Sequence, residues 1–233
     1  VPHRVDEGHG ISSQSLDFFS SKGVTLLITV DCGVSSIDEI QTALNMGIDT
    51  IVTDHHTALD AMPDAIAIVN PSLPNSSYPF KYLTGVGTAF KVMQALYQRK
   101  QIELPDELYV YVTLGTISDV GLMRDENRYL VSKGMDVLRK SEFVSLDALI
   151  KVSNASKKNL STQDMSFGII PRINVAGRLD HANLSLTLLL SSDKSEADRM
   201  AQELNEMNKK RQVLTEKAMQ EAENQIKDDF KEG

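Results

Sequence analysis

Two stretches, VTLLITVDCG (24–33) and IDTIVTDHH (48–56), read as nearly continuous apolar runs that break into ionisable residues only at their ends. A strand with one wet face alternates polar and apolar side chains. A run without that alternation belongs to a strand covered on both faces, as in a parallel sheet between helices. The intervening IDEIQTALNMG (37–47) sets Ile37, Ile40, Ala43 and Leu44 at helical spacing, with Gly47 as a stop. A third run, AIAIVNP (65–71), follows. Strand, helix, strand with buried strands predicts an α/β fold: a parallel sheet flanked by helices.

Helical patterns dominate the rest. The spacing predicts helices over 85–99, 106–119 and 126–140, and within the mixed region 141–190 over 145–155 and 181–190. From Asp193 onward Ala197, Met200, Ala201, Leu204, Met207, Leu214, Ala218, Ala222 and Ile226 recur at three- and four-residue steps, with no Pro or Gly before Gly233. This predicts one long amphipathic helix of about nine turns. The expected division is therefore 1–190, an α/β domain, and 191–233, a long helix that is an inter-domain connector, a coiled-coil arm or a packing helix that closes the domain.

Open parallel sheets place ligands beyond the carboxyl ends of their strands. One run ends in Asp31-Cys32-Gly33 and another in Asp54-His55-His56, in a chain with only five histidines. If these strands are neighbours, Asp31 and His55 meet at one rim. Successive residues of an extended segment point to opposite sides, so His55 and His56 are expected to serve different tasks, one on a metal and one on phosphate or a proton. Carboxylate mixed with imidazole suits Mn²⁺ or Mg²⁺ better than structural zinc. Asp119, in GTISDVG (115–121), is a third carboxylate, or only a helix terminator. In PRINVAGRLDHAN (171–183) Arg172 and Arg178 could grip phosphate oxygens bidentately, with Gly177 letting backbone approach; the alternative is an arginine-capped loop paired to Asp180. PHRVDEGHG (2–10) is a charged loop that could also sit at phosphate.

A net charge of −8 argues against a broad basic face that coats nucleic acid, but leaves room for a narrow site of metal and arginine. No apolar window is long enough for a membrane span. Cys32 is the single cysteine, so an intrachain disulfide is impossible and a cytoplasmic setting is expected. It reads as a small buried residue, not a nucleophile.

Taken in order, HRVDEGHG, TVDCG, TDHH, GTISDVG and PRINVAGRL resemble the DHH phosphoesterase superfamily and, within it, the RecJ family of exonucleases that degrade single-stranded DNA from the 5′ end. The resemblance implies two Mn²⁺ or Mg²⁺ ions in the intact enzyme. It implies Asp31, His55 and Asp119 as metal ligands, with Asp31 bridging. Asp54 would orient the histidines and His56 would face the scissile phosphate. Arg4 would read a 5′ phosphate, and Arg172, Asn174 and Arg178 would lie near the DNA backbone. Single-stranded DNA, and possible repair or replication proteins, are the implied partners. Two family features, an aspartate cluster upstream and a further domain downstream, do not occur in this sequence, so residues 1–233 alone are expected to fold but to have little nuclease activity. The competing readings are a phosphodiesterase for short oligonucleotides or cyclic dinucleotides, and a non-catalytic scaffold.

Overall fold

The computed structural model describes residues 10–58, 61–179 and 182–229, which fall into two compact units. The first, an α/β unit, takes in 2–141 with 158–165; the second, a helical unit, takes in 142–157 and 166–233.

In the α/β unit, helix α1 (Ser13–Ser21) precedes strand β1 (Leu26–Val30), helix α2 (Ile37–Asn45) and strands β2 (Asp49–Thr53) and β3 (Ala67–Val69). The strands are parallel in the order β1-β2-β3, with Ile28 opposite Ile51 and Val52 opposite Ile68. Leu16 of α1 and Ala43 of α2 are fully buried in one apolar cluster with Ile48. Ser12 caps α1, its Oγ accepting the Ser15 N–H. The parallel sheet is as expected; full burial of its strands is not. Leu26, Ile28 and Val30, alternate residues of the edge strand β1, are each roughly half exposed among the described residues (46%, 55% and 51%).

Three longer helices complete this unit: α3 (Gly85–Lys100), α4 (Glu107–Ser118) and α5 (Asp125–Lys140). Helix α4 is apolar around most of its circumference and lies in the core. Helix α5 buries Asn127, Leu130, Val131, Gly134, Met135 and Leu138, a stripe at three- and four-residue spacing. It carries acids in its first turn and bases in its last, matching the helix dipole.

The helical unit contains α6 (Val144–Val152). After the single turn α7 (Thr162–Asp164) of the α/β unit, a π-helical turn over Met165–Ile169 leads into α8 (Ile170–Leu179), α9 (Asn183–Leu190) and α10 (Lys194–Asp229). The long helix is present, but Ala197, Met200, Ala201 and Leu204 bury its first third against α6, α8 and α9. By packing, then, the division falls near residue 142 and not at 190/191. Val213, Leu214, Met219 and Ile226 continue the stripe and remain exposed among the described residues. No helix of the described residues is long and apolar enough to cross a membrane.

Candidate metal centre

The centre is built from three chain reversals of the α/β unit. At the end of β1 the Asp31 N–H donates to the Thr53 carbonyl (3.0 Å), and at the end of β2 the Asp54 N–H donates to the Val69 carbonyl (3.0 Å), so both acidic ends sit on one rim. Asp31 has a positive φ of 64°, a conformation that aspartate tolerates better than most residues and that turns the chain off the strand. Asp119 is the C-cap of α4.

These reversals bring three ionisable side chains together. His55 Nε2 lies 3.1 Å from Asp31 Oδ1 and 3.8 Å from Asp119 Oδ2. It is buried, yet it makes no aligned hydrogen bond. One ligand atom each of Asp31, His55 and His56 lie within 4.8 Å of one another. The tight group thus includes His56, so the two histidines expected to serve different tasks stand side by side. The alternation rule ends where the strand ends: β2 stops at Thr53, and the two ring centroids lie 4.4 Å apart with the planes tilted by 54°.

Asp54 does a different job. It is 1% exposed, and its Oδ1 accepts the His55 N–H (2.7 Å), the His56 N–H (3.2 Å) and a bond with His56 Nδ1 (2.7 Å). Its Oδ2 accepts the Val34 N–H (3.0 Å), which ties the loop after β1 to the loop after β2. Burial alone would raise this carboxyl; the bonds from Val34, His56 and His55 outweigh it and hold the group below the usual carboxylate range. The Asp31 carboxylate holds the His55 proton above the usual imidazole range, against desolvation, with Asp119 adding to it. Burial pushes the Asp119 carboxyl up, opposed by His55 and reinforced by Asp31. Burial, with Asp54 and Asp31 nearby, likewise pushes the Cys32 thiol up, away from nucleophilic thiolate.

The residues present suit a divalent ion. A buried imidazole nitrogen facing two carboxylates, 3.1 and 3.8 Å away, is a ligand set for a small hard-to-borderline cation.

Residues 1–116 match the model described as "DHH family, N-terminal domain". Over 95% of its length the chain is 39% identical to the single-stranded-DNA-specific exonuclease RecJ of Bacillus subtilis. The chain belongs to the DHH family. Its likeness to the Escherichia coli RecJ is 38% over 94% of the chain. A crystal structure of exonuclease RecJ bound to manganese superposes with a TM-score of 0.86, at 34% identity, over 94% of this chain and 55% of that one. The Thermus thermophilus RecJ in complex with Mn²⁺ gives 0.80 at 32% identity, over 89% of this chain and 31% of that one. This DHH chain spans 28% of the B. subtilis protein and 40% of the E. coli one.

Elsewhere the DHH chain departs from expectation. PRINVAGR is not a loop but helix α8, and a Cβ on Gly177 within it would meet only Ala182 Cβ, at 3.6 Å. Arg172 does not present a free fork. Its Nη1 donates to the Gly168 carbonyl, Nη2 to the Val152 carbonyl (3.4 Å) and Nε to Asn205 Oδ1 (3.0 Å), so it braces α8 and the π turn inside the helical unit. Asn174 lies half-buried on the same helix. Arg4, and the side chain of Arg178, lie outside the described residues. Two residues of the α/β unit carry no catalytic signature in sequence but shape the centre. Asn70 Nδ2 donates to the His56 carbonyl (2.9 Å). Gly85, first residue of α3, lies where a Cβ would stand 2.0 Å from Asp31 Oδ1. A run such as LTGVGT gives no hint of that without the strand end beside it.

Proposed function

We propose that the protein to which this chain belongs is a metal-dependent phosphodiesterase that shortens single-stranded DNA from its 5′ end, with Mn²⁺ or Mg²⁺ as cofactor and a cytoplasmic role in DNA repair and recombination. The observation that carries the reading is the convergence on the buried His55 Nε2 of two carboxylates, Asp31 Oδ1 at 3.1 Å and Asp119 Oδ2 at 3.8 Å, from three separate chain reversals. Asp31, His55 and Asp119, with His56 beside them, would hold the metal. A bound ion supplies an activated water and neutralises charge developing on the phosphate.

The chain's own residues do the rest. Asp54, itself fixed by Val34, anchors His56 through Nδ1. That bond favours the proton on Nδ1 and leaves Nε2 of the exposed ring for the scissile phosphate or its leaving oxygen. Neutral His55 is the form that can ligate, so metal must displace its proton. Arg4, Asn174 and Arg178 are the residues proposed to meet the DNA backbone, Arg4 at a 5′ phosphate. Arg172 is not among them.

The test is made on the longest natural chain that contains these residues, with 5′-labelled single strands, duplexes and di- to pentanucleotides in Mn²⁺. Stepwise loss of nucleotides from single strands, abolished by Asp31→Asn, is the expected result. Faster turnover of the short oligonucleotides than of long strands would instead favour an oligonucleotide phosphodiesterase. Absence of any Mn²⁺-dependent hydrolysis would leave the scaffold reading.

A further inference from the structure

The turn that ends α4 is built against ordinary stability rules. The Val120 N–H donates to the Ile117 carbonyl (3.2 Å) and the Gly121 N–H to the Thr116 carbonyl (3.0 Å), the paired bonds of a Schellman helix end. In that motif the left-handed position is normally glycine. Here it is Val120, at φ 54°, a β-branched residue where the left-handed region is most crowded. The adjacent glycine is needed one position later: a Cβ on Gly121 would stand 2.7 Å from Thr84 Cγ2 and 3.1 Å from the Thr116 carbonyl oxygen. Val120 is also 88% exposed. The strain opposes folding and a side chain left this exposed returns almost no burial energy, so it does not serve the core.

The surroundings hold it there. Gly121 is wedged between Thr84 and Thr116, and buried Asn127 donates to the Leu122 carbonyl (3.1 Å). Strained residues persist where neighbours over-determine them, and they cluster at functional sites. Val120 directly follows Asp119, and the exposed apolar side chains of Leu122 and Met123 lie two and three residues further on.

We infer that Val120 is the substrate-contacting tip of an apolar lip beside the metal centre, packed against the base of the nucleotide whose phosphate lies at Asp31, His55 and Asp119. The inference rests on the function proposed above. A phosphate and its sugar edge are hydrated, whereas a base face offers an apolar surface that any of the four bases shares, as an enzyme acting along a strand requires. The fixed left-handed backbone presents the side chain without an ordering cost on binding.

The experiment compares wild type, Val120→Gly and Val120→Ile in the longest natural chain. Melting temperature, Mn²⁺ affinity and KM are measured for a normal single strand and for one whose terminal nucleotides are abasic. Val120→Gly should raise the melting temperature by relieving strain and leave Mn²⁺ affinity unchanged. It should raise KM for the normal strand roughly five- to tenfold, the loss of part of one buried valine side chain. On the abasic strand its KM should match wild type, and Val120→Ile should keep the normal KM. An unchanged KM for Val120→Gly, an equal penalty on abasic strands, or a lower melting temperature would each overturn the inference. A wild type with no Mn²⁺-dependent hydrolysis would overturn the proposed function and this inference with it.

Discussion

The Asp31 carboxylate occupies the place where residue 85 would have a side chain. A Cβ built on Gly85 meets Asp31 Oδ1 at 2.0 Å, Cγ at 2.5 Å and Cβ at 2.6 Å. The first turn of α3 and the end of β1 therefore fit only because position 85 is glycine. Gly85→Ala would force the whole Asp31 side chain to move, and with it the carboxylate 3.1 Å from His55. Rotating the side chain relieves Oδ1 and Cγ but not Cβ, so the backbone at the end of β1 has to shift as well. We expect a retained α/β circular dichroism spectrum with a lower melting temperature, and Mn²⁺ affinity lower by roughly ten- to a hundredfold, as when a metal site loses an orienting neighbour. Calorimetric titration with Mn²⁺ checks this; wild-type affinity would show that Asp31 is not a ligand.

Mn²⁺ affinity should depend on pH through His55. Its proton is held above the usual imidazole range, chiefly by Asp31. A raised value means that the protonated form persists to higher pH and that metal must displace that proton. Affinity should therefore climb by about tenfold per pH unit below the raised value and level off above it. Titrations in buffers of different ionisation enthalpy should register close to one proton released at low pH and none on the plateau. Proton release that does not vary with pH would remove His55 from the ligand set.

Asn127 should matter more than a solvent-facing asparagine. It is fully buried, and its Nδ2 donates to the Tyr82 carbonyl (2.8 Å) and the Leu122 carbonyl (3.1 Å). These bonds join the segment before α3 to the loop after Asp119. Asn127→Ala strands both acceptors, and we expect about 2–4 kcal/mol of lost stability in urea denaturation. A loss well under 1 kcal/mol would mean that water replaces the amide.

Arg172 offers a test between bracing and phosphate binding. Its guanidinium serves two carbonyls and Asn205. Arg172→Ala should cost about 2–4 kcal/mol of stability, and Lys should restore little of it, because a single ammonium cannot reach acceptors arranged around a fork. The salt dependence of DNA binding should keep its slope. A slope shallower by about one would instead assign Arg172 a phosphate contact.

The parts legible in the sequence are those governed by local rules. Unbroken apolar runs around Ile28 and Val52 mark parallel strands, and the stripe from Leu130 to Leu138 marks an amphipathic helix. Asp31 and His55 can be placed because ligands of a parallel sheet gather at strand ends. What the sequence hides depends on contacts between distant segments. The stretch around Arg172 and Gly177 leaves open an arginine-capped loop, but proline is tolerated in a first helical turn, and a helix braced by Arg172 carries the glycine. Alternation separates His55 from His56 only while the chain stays extended, and Asp54 folds it back. Val120 carries no signal of its own, because its neighbour Gly121 looks like the residue that takes the left-handed turn.

The half-exposed face of β1 has a colloidal consequence. Leu26, Ile28 and Val30 flank a strand whose outer backbone edge pairs with nothing among the described residues. A short, branched, uncharged edge is a template for another copy of itself. Preparations of residues 1–233 should scatter light increasingly with concentration and with added salt, which screens the net charge of −8 that keeps copies apart. Ile28→Lys, a charge in the middle of that edge, should keep the chain dispersed.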